Sequence, residues 1–95
     1  MDKNLVIQKV IKIIRKYLPE EYKILLFGSW ARGDALETSD IDIGILGKTE
    51  ASWDIILKIK QEVDDISTLR KIDIVDLNSK ESEFKENVLK YAKTL

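Results

Sequence analysis

Residues 22–46 read YKILLFGSWARGDALETSDIDIGIL, and the fold turns on how this stretch is divided. Tyr22–Phe27 is a compact apolar run that stops at Gly28-Ser29, which reads as a buried strand meeting a tight turn. Ser29 is a plausible N-cap for a short helix through Trp30, Ala31 and Arg32, stopped by Gly33. From Asp40 to Ile45 polar and apolar residues then alternate strictly. Asp40, Asp42 and Gly44 fall on one face and Ile41, Ile43 and Ile45 on the other, a period of two that predicts a strand over Ser39–Leu46.

The flanking segments complete the frame. Residues 4–18 carry Leu5, Val6, Val10, Ile11, Ile13, Ile14, Tyr17 and Leu18 at helical spacing, and Pro19 ends that helix. Residues 51–67 place Trp53, Ile56, Ile59, Val63 and Ile66 on one helical stripe. Lys71–Leu77 (KIDIVDL) reads as a third strand. Asn78 with Glu81 has the form of a capping box, opening a last helix whose apolar face is Phe84, Val88, Leu89 and Ala92, with Tyr91 at its edge. The expected architecture is α/β (α+β): one domain spanning residues 1–95, with a short mixed three-stranded sheet flanked by helices.

Composition excludes several chemistries. The 95 residues contain neither cysteine nor histidine. Disulfides, thiolate or imidazole metal sites, a Cys nucleophile and a Ser-His-Asp triad are therefore absent, and catalysis has to rest on carboxylates, hydroxyls, Lys/Arg and bound metal. Sixteen basic against 17 acidic residues leave a net charge of −1. That balance argues against direct nucleic-acid binding and for a small nucleotide or a protein partner. Lysines every few residues in the N-terminal stretch are wrong for a signal peptide or a membrane span, so a cytoplasmic location is expected.

The chemistry concentrates in residues 28–42. Gly28 lets the backbone turn sharply and lets a phosphate approach unobstructed. The amides that follow lie at a helix start, where free N–H groups favour an anion, and Ser29 adds a hydroxyl. Asp40 and Asp42 share a strand face about 7 Å apart, from a rise of ~3.3 Å per residue. Such a pair suits Mg²⁺, which takes oxygen ligands from one or two carboxylates plus substrate phosphates. Two ions ~3.5–4 Å apart can hold the attacking and leaving oxygens of an in-line displacement. A phosphate cradle beside a carboxylate pair is what phosphoryl or nucleotidyl transfer requires.

Gly-Ser, ten residues, then Asp-x-Asp resembles the signature of the polymerase-beta-like nucleotidyltransferase superfamily. The wider GSWARGDAL…SDIDI is closer still to its minimal (MNT) branch, and the order of helices and strands fits over almost the whole chain. The resemblance implies a nucleotidyltransferase fold and a third carboxylate on the next strand. Asp73 and Asp76 are the candidates and have opposite parity, so only one can share the metal face. The resemblance favours Asp73, which would help bind the catalytic metal and take the attacking hydroxyl's proton. Asp76 reads as a cap or a solvated residue. Arg32 is implied to contact the triphosphate, although a local ion pair with Asp34 or Glu37 would also account for it.

The same resemblance implies AMP transfer from ATP, with Mg²⁺ (two ions) held by Asp40, Asp42 and Asp73. Stand-alone MNT proteins resemble the antitoxin half of HEPN/MNT modules, so the implied acceptor is a hydroxyl of a HEPN ribonuclease toxin. The contrasting reading is a non-catalytic antitoxin that neutralises its partner by steric occlusion. Bland readings stand beside the rest: Asp40 and Asp42 as charges guarding a strand edge, Trp30 as packing, and Trp53, Phe84 and Tyr91 as core or interface. The first helix is apolar over a broad arc, which favours association into a homo- or hetero-oligomer.

Overall fold

A computed structural model describes residues 2–95. The chain runs α1 (Lys3–Tyr17), β1 (Lys23–Phe27), α2 (Ser29–Arg32), β2 (Ile41–Leu46), α3 (Trp53–Asp64), β3 (Ile72–Asp76), a 3₁₀ turn (Leu77–Ser79), α4 (Ser82–Leu89) and β4 (Lys93–Thr94). The sheet order is β3-β2-β1-β4. β1 pairs antiparallel with β2 and β4, whereas β2 and β3 run parallel. The sheet is mixed, as expected, but has four strands and not three. β4 is two residues long and owes its existence to pairing of Lys93 and Thr94 with Leu26 and Leu25, a tertiary contact with no periodic signal of its own.

Strand alternation divides the molecule into two layers with different tasks. One sheet face presents Ile24, Leu26, Ile41, Ile43, Ile45 and Ile74, all buried. Against it pack Val6, Val10 and Ile14 of α1 and Ile56, Ile59 and Val63 of α3. Burial of this apolar face is the main driving force for the fold. α1 is N-capped by the Asp2 carboxylate, which accepts from the Leu5 amide at 3.0 Å, and ends at Leu18 before Pro19. Ser52 caps α3 in the same way, accepting from Ile55 at 3.3 Å. Lys16 and Tyr17 of α1 both bond the Glu62 carboxylate of α3, which is held below the usual carboxylate range by them.

The opposite face is only half covered. Leu25 and Phe27 pack there with Leu77 and Val88 in a second, smaller cluster. Gly44 belongs to this face, and a Cβ on it would come within 2.9 Å of Leu77 Cδ1, so glycine lets the 3₁₀ turn close over the sheet. Beyond Leu77 and α4, the Asp42–Asp73 end of this face stays open.

Three expectations need correcting. Asn78 and Glu81 form no capping box. Asp76 instead caps the 3₁₀ turn, accepting from the Asn78 amide at 3.0 Å, and its second oxygen accepts from the Ala51 amide at 2.8 Å. The Asn78 side chain donates to the Gly47 carbonyl at 2.6 Å, and α4 starts after Glu81 with no side-chain cap. Asp76 is thus a cap, as one reading had it, but a buried one. Trp53 is 67% exposed and Phe84 43%, so the core half of the core-or-interface reading fails for both, and Ala92 lies beyond the end of α4.

Candidate active site

The turn from β1 into α2 is built on Gly28, which has φ 72° and ψ −156° and is the N-cap of α2 in place of Ser29. This conformation is costly for any residue with a Cβ. Space imposes the same choice, because a Cβ at Gly28 would sit 2.0 Å from Asp42 Oδ2. Strand register explains the contact: Phe27 pairs with Asp42, so the turn after β1 lies directly over the carboxylate at the start of β2. The first amides of α2 have no acceptor within the helix. Gly33, at φ 87°, ends α2 in the left-handed region.

The parallel pairing of β2 with β3 places Asp42 opposite Asp73. Burial is the largest cause that raises the Asp42 carboxyl, and the charge of Asp73 and then of Asp40 adds to it. A hydrogen bond with Asp73 acts in the same sense, and Arg32 acts the other way; together these push Asp42 up to about 6. Asp40 lies one residue before β2. Asp76, of the other parity, is turned away into its two backbone bonds. Among the described residues no three acidic side chains already form a closed metal cage.

The donor set nonetheless fits a hard divalent cation. All the groups are carboxylate oxygens, and Asp73 stands close enough to Asp42 to raise the cost of ionising it, a repulsion that a cation relieves. A ligand sphere completed by substrate phosphates is the usual arrangement for Mg²⁺.

Gly28, Ser29, Arg32, Asp40 and Asp42 line one open cavity of about 540 Å³ together with Phe84, Val88 and Tyr91 of the α4 region. A larger cavity of about 1130 Å³ adjoins it along β3 and includes Asp42, Asp73, Phe27 and Phe84. The two share Asp42, Phe27 and Phe84. Arg32 pairs with Asp34 at 3.5 Å, as the local reading expected, and its guanidinium also lies 5.5 Å from the centre of the Tyr91 ring. It is therefore held at the cavity wall.

Two further residues act on the loop between the halves of the site. The Trp30 indole N–H donates to the Ser39 carbonyl at 3.2 Å, directly before Asp40. Arg70 Nε donates to the Glu37 carbonyl at 3.0 Å and its Nη2 meets the Glu37 carboxylate at 3.1 Å. Neither role was legible in the sequence, nor was that of Tyr91 at the cavity wall, because all three depend on which loops the sheet brings together. Trp30 does pack, as its bland reading held, but with a polar task.

The chain matches the family described as Polymerase beta, Nucleotidyltransferase over residues 8–95. Protein adenylyltransferase MntA of Shewanella oneidensis is 32% identical over 91 residues, covering 92% of this chain and 62% of that protein. The present chain thus spans little more than three fifths of that relative's length. A solved toxin–antitoxin with AMP-PNP superposes with a TM-score of 0.66 at 30% identity, over 92% of this chain and 69% of that one. A chain of the complex between tri-AMPylated Shewanella oneidensis HEPN toxin and MNT antitoxin gives a TM-score of 0.63 at 27% identity, over 96% of this chain and 69% of that one.

Proposed function

This chain belongs to the polymerase beta nucleotidyltransferase family, and from that premise we propose that it transfers AMP from ATP to a hydroxyl of a partner protein, releasing pyrophosphate. The partner is a HEPN-domain ribonuclease toxin, and the chain acts as its antitoxin in the cytoplasm. One observation carries the reading: the Gly28-Ser29 turn and the Asp40 and Asp42 carboxylates line a single cavity, with Asp73 in register beside Asp42. The resemblance to MntA and to AMP-PNP-bound and AMPylated toxin–antitoxin complexes supports the choice of nucleotide and acceptor. Among the described residues no helix is long and apolar enough to cross a membrane.

Gly28 and Ser29 hold the β- and γ-phosphates, with Arg32 countering their charge from the cavity wall. Asp40, Asp42 and Asp73 would hold two Mg²⁺ ions, which, when bound, neutralise charge on the triphosphate and on the departing pyrophosphate. Asp73 faces the larger cavity, from which the acceptor hydroxyl enters. That oxygen attacks the α-phosphorus, the bond to the bridging oxygen of pyrophosphate breaks, and Asp73 takes the hydroxyl's proton. In-line displacement places attacker and leaving group on opposite sides of the phosphorus. Two cavities that share Asp42 suit that requirement.

The test combines this chain, its HEPN partner, ATP and Mg²⁺, followed by intact-mass measurement of the partner. An adduct of one or more AMP units is expected with the wild type and none with Asp42→Asn. Absence of any adduct, or an equal adduct with the variant, overturns the enzymatic reading. Full neutralisation of the toxin by an Asp40→Asn/Asp42→Asn pair would instead favour steric occlusion.

A further inference from the structure

The phosphate and metal ends of the smaller cavity are polar, whereas the lining contributed by the α4 region is mostly hydrocarbon. It consists of Phe84, Val88 and Tyr91, with the Tyr91 hydroxyl as its one polar group. Val88 is 2% exposed and serves the core beneath, and the face of Tyr91 is taken by the Arg32 guanidinium at 5.5 Å. Phe84 remains, 43% exposed although it is a large aromatic residue. Its ring meets Phe27 edge to face, with centroids 6.4 Å apart and planes at 87°. That contact anchors the Phe84 ring without covering both of its faces.

We propose that Phe84 is the platform on which the nucleobase of the bound triphosphate stacks. The inference rests on the nucleotidyltransferase reading and deepens it. With the β- and γ-phosphates at Gly28-Ser29 and the α-phosphorus at the carboxylates, the nucleoside continues toward lining that carries neither cradle nor carboxylate, where Phe27 is buried and Phe84 is the exposed aromatic ring. An aromatic ring offers a π-face that every base can use, so it confers affinity without reading base edges. The Phe84 ring itself has no group to donate to or accept from a base edge. Adenine and guanine nucleotides are therefore held alike at this contact, and any preference between them has to come from elsewhere, such as the Tyr91 hydroxyl.

The test measures binding of AMP-PNP, GMP-PNP and inorganic tripolyphosphate, each with Mg²⁺, to the full chain by calorimetry. Phe84→Ala is expected to weaken AMP-PNP and GMP-PNP by a common factor of about tenfold, the scale of one lost base–aromatic stack. Tripolyphosphate, which has no base, is expected to keep its affinity within about twofold by the same reasoning. Phe84→Trp should bind both nucleotides at least as well as the wild type. Equal losses for all three ligands would mean that Phe84 only supports the fold, and no loss for any would remove the platform. A wild-type chain that binds neither nucleotide nor tripolyphosphate would sink the nucleotidyltransferase reading itself.

Discussion

Asp42 and Asp73 face each other across the parallel β2–β3 pair, and neither Lys71, which pairs with Asp73 at 3.7 Å, nor Arg32, which acts on Asp42, cancels the cost of ionising Asp42 there. Asp42 is desolvated by the turn at Gly28 as well, and its carboxyl is pushed up to about 6 from 3.8. In the metal-free protein this is a stability penalty with a definite pH dependence. Below about pH 3 the carboxyl is protonated folded or unfolded, and there is no penalty. Between 3.8 and about 6 the unfolded chain gives up this proton while the folded chain keeps it, so stability falls as pH rises and levels off above about 6. A shift from 3.8 to about 6 corresponds to about 3 kcal/mol at most, and solvent screening of a half-exposed group reduces that to about 1–2. Asp42→Asn is therefore expected to raise the melting temperature of the metal-free protein at pH 7.5 by about 4–8 °C, from about 1 kcal/mol in a domain of this size. The gain should shrink as pH falls below about 6 and vanish at about pH 3. A variant no more stable than the wild type at pH 7.5 would count against the buried-carboxylate account.

Mg²⁺ addresses the same penalty from the other side. A divalent cation binds the ionised carboxylates, so its stabilising effect should grow as pH rises through 6. Thermal melts with and without Mg²⁺ at pH 5 and pH 8 test this. The expected outcome is a clear upward shift at pH 8, little at pH 5, and almost none at either pH for Asp42→Asn. Chelation should abolish AMP transfer. A shift independent of pH would place the bound ion away from these carboxylates.

What the sequence revealed about this site, and what it hid, follows from the range over which each feature is determined. β2 was legible because Asp40–Ile45 alternates strictly, and the Gly28-Ser29…Asp40-x-Asp42 spacing lies within 15 residues that form one turn, the short α2, a loop and the start of β2. Parity, which is local, allowed only one of Asp73 and Asp76 on the metal face, the resemblance preferred Asp73, and register sets Asp73 opposite Asp42. β4 was not legible, since two residues carry no period and pair only because β1 has a free edge. The supposed capping box at Asn78 failed because Asp76, already turned off the sheet face, reached the same backbone first. Trp53 fell on the apolar stripe by spacing, yet it begins α3, where no sheet lies beneath it to bury the ring.

The two left-handed glycines separate backbone strain from site geometry. Gly28 and Gly33 have φ of 72° and 87°, but a Cβ at Gly28 strikes Asp42 whereas one at Gly33 meets nothing within 4 Å. Gly33→Ala should cost about 1–2 kcal/mol in stability from its backbone conformation alone and leave most of the transfer activity. Gly33→Asn should recover part of that loss, because asparagine tolerates the left-handed region. Gly28→Ala should abolish transfer, by displacing the Asp42 carboxylate and narrowing the phosphate cradle together. Melting temperatures and AMP-transfer rates of the three variants decide the matter. Comparable activity losses for the two alanine variants would show that the steric contact with Asp42 is unimportant.

Trp30 supplies the last test, because its hydrogen bond couples the two halves of the site. Its indole N–H, on α2 just after Ser29, donates to the Ser39 carbonyl just before Asp40. The ring is also stacked against cations, with Lys3 at 4.4 Å and Arg70 at 6.0 Å from its centroid. Trp30→Phe keeps an aromatic ring for those contacts but removes the donor. The loop before Asp40 then loses a bond worth about 1 kcal/mol, roughly fivefold in an equilibrium between placed and misplaced Asp40. The expected consequence is a fall of about fivefold in kcat with KM for ATP little changed, since the phosphate cradle at Gly28-Ser29 is untouched. A rise in KM at constant kcat would point instead to a direct role of the indole in holding the nucleotide. Unchanged kinetics would mean that Arg70, through Glu37, fixes the loop unaided.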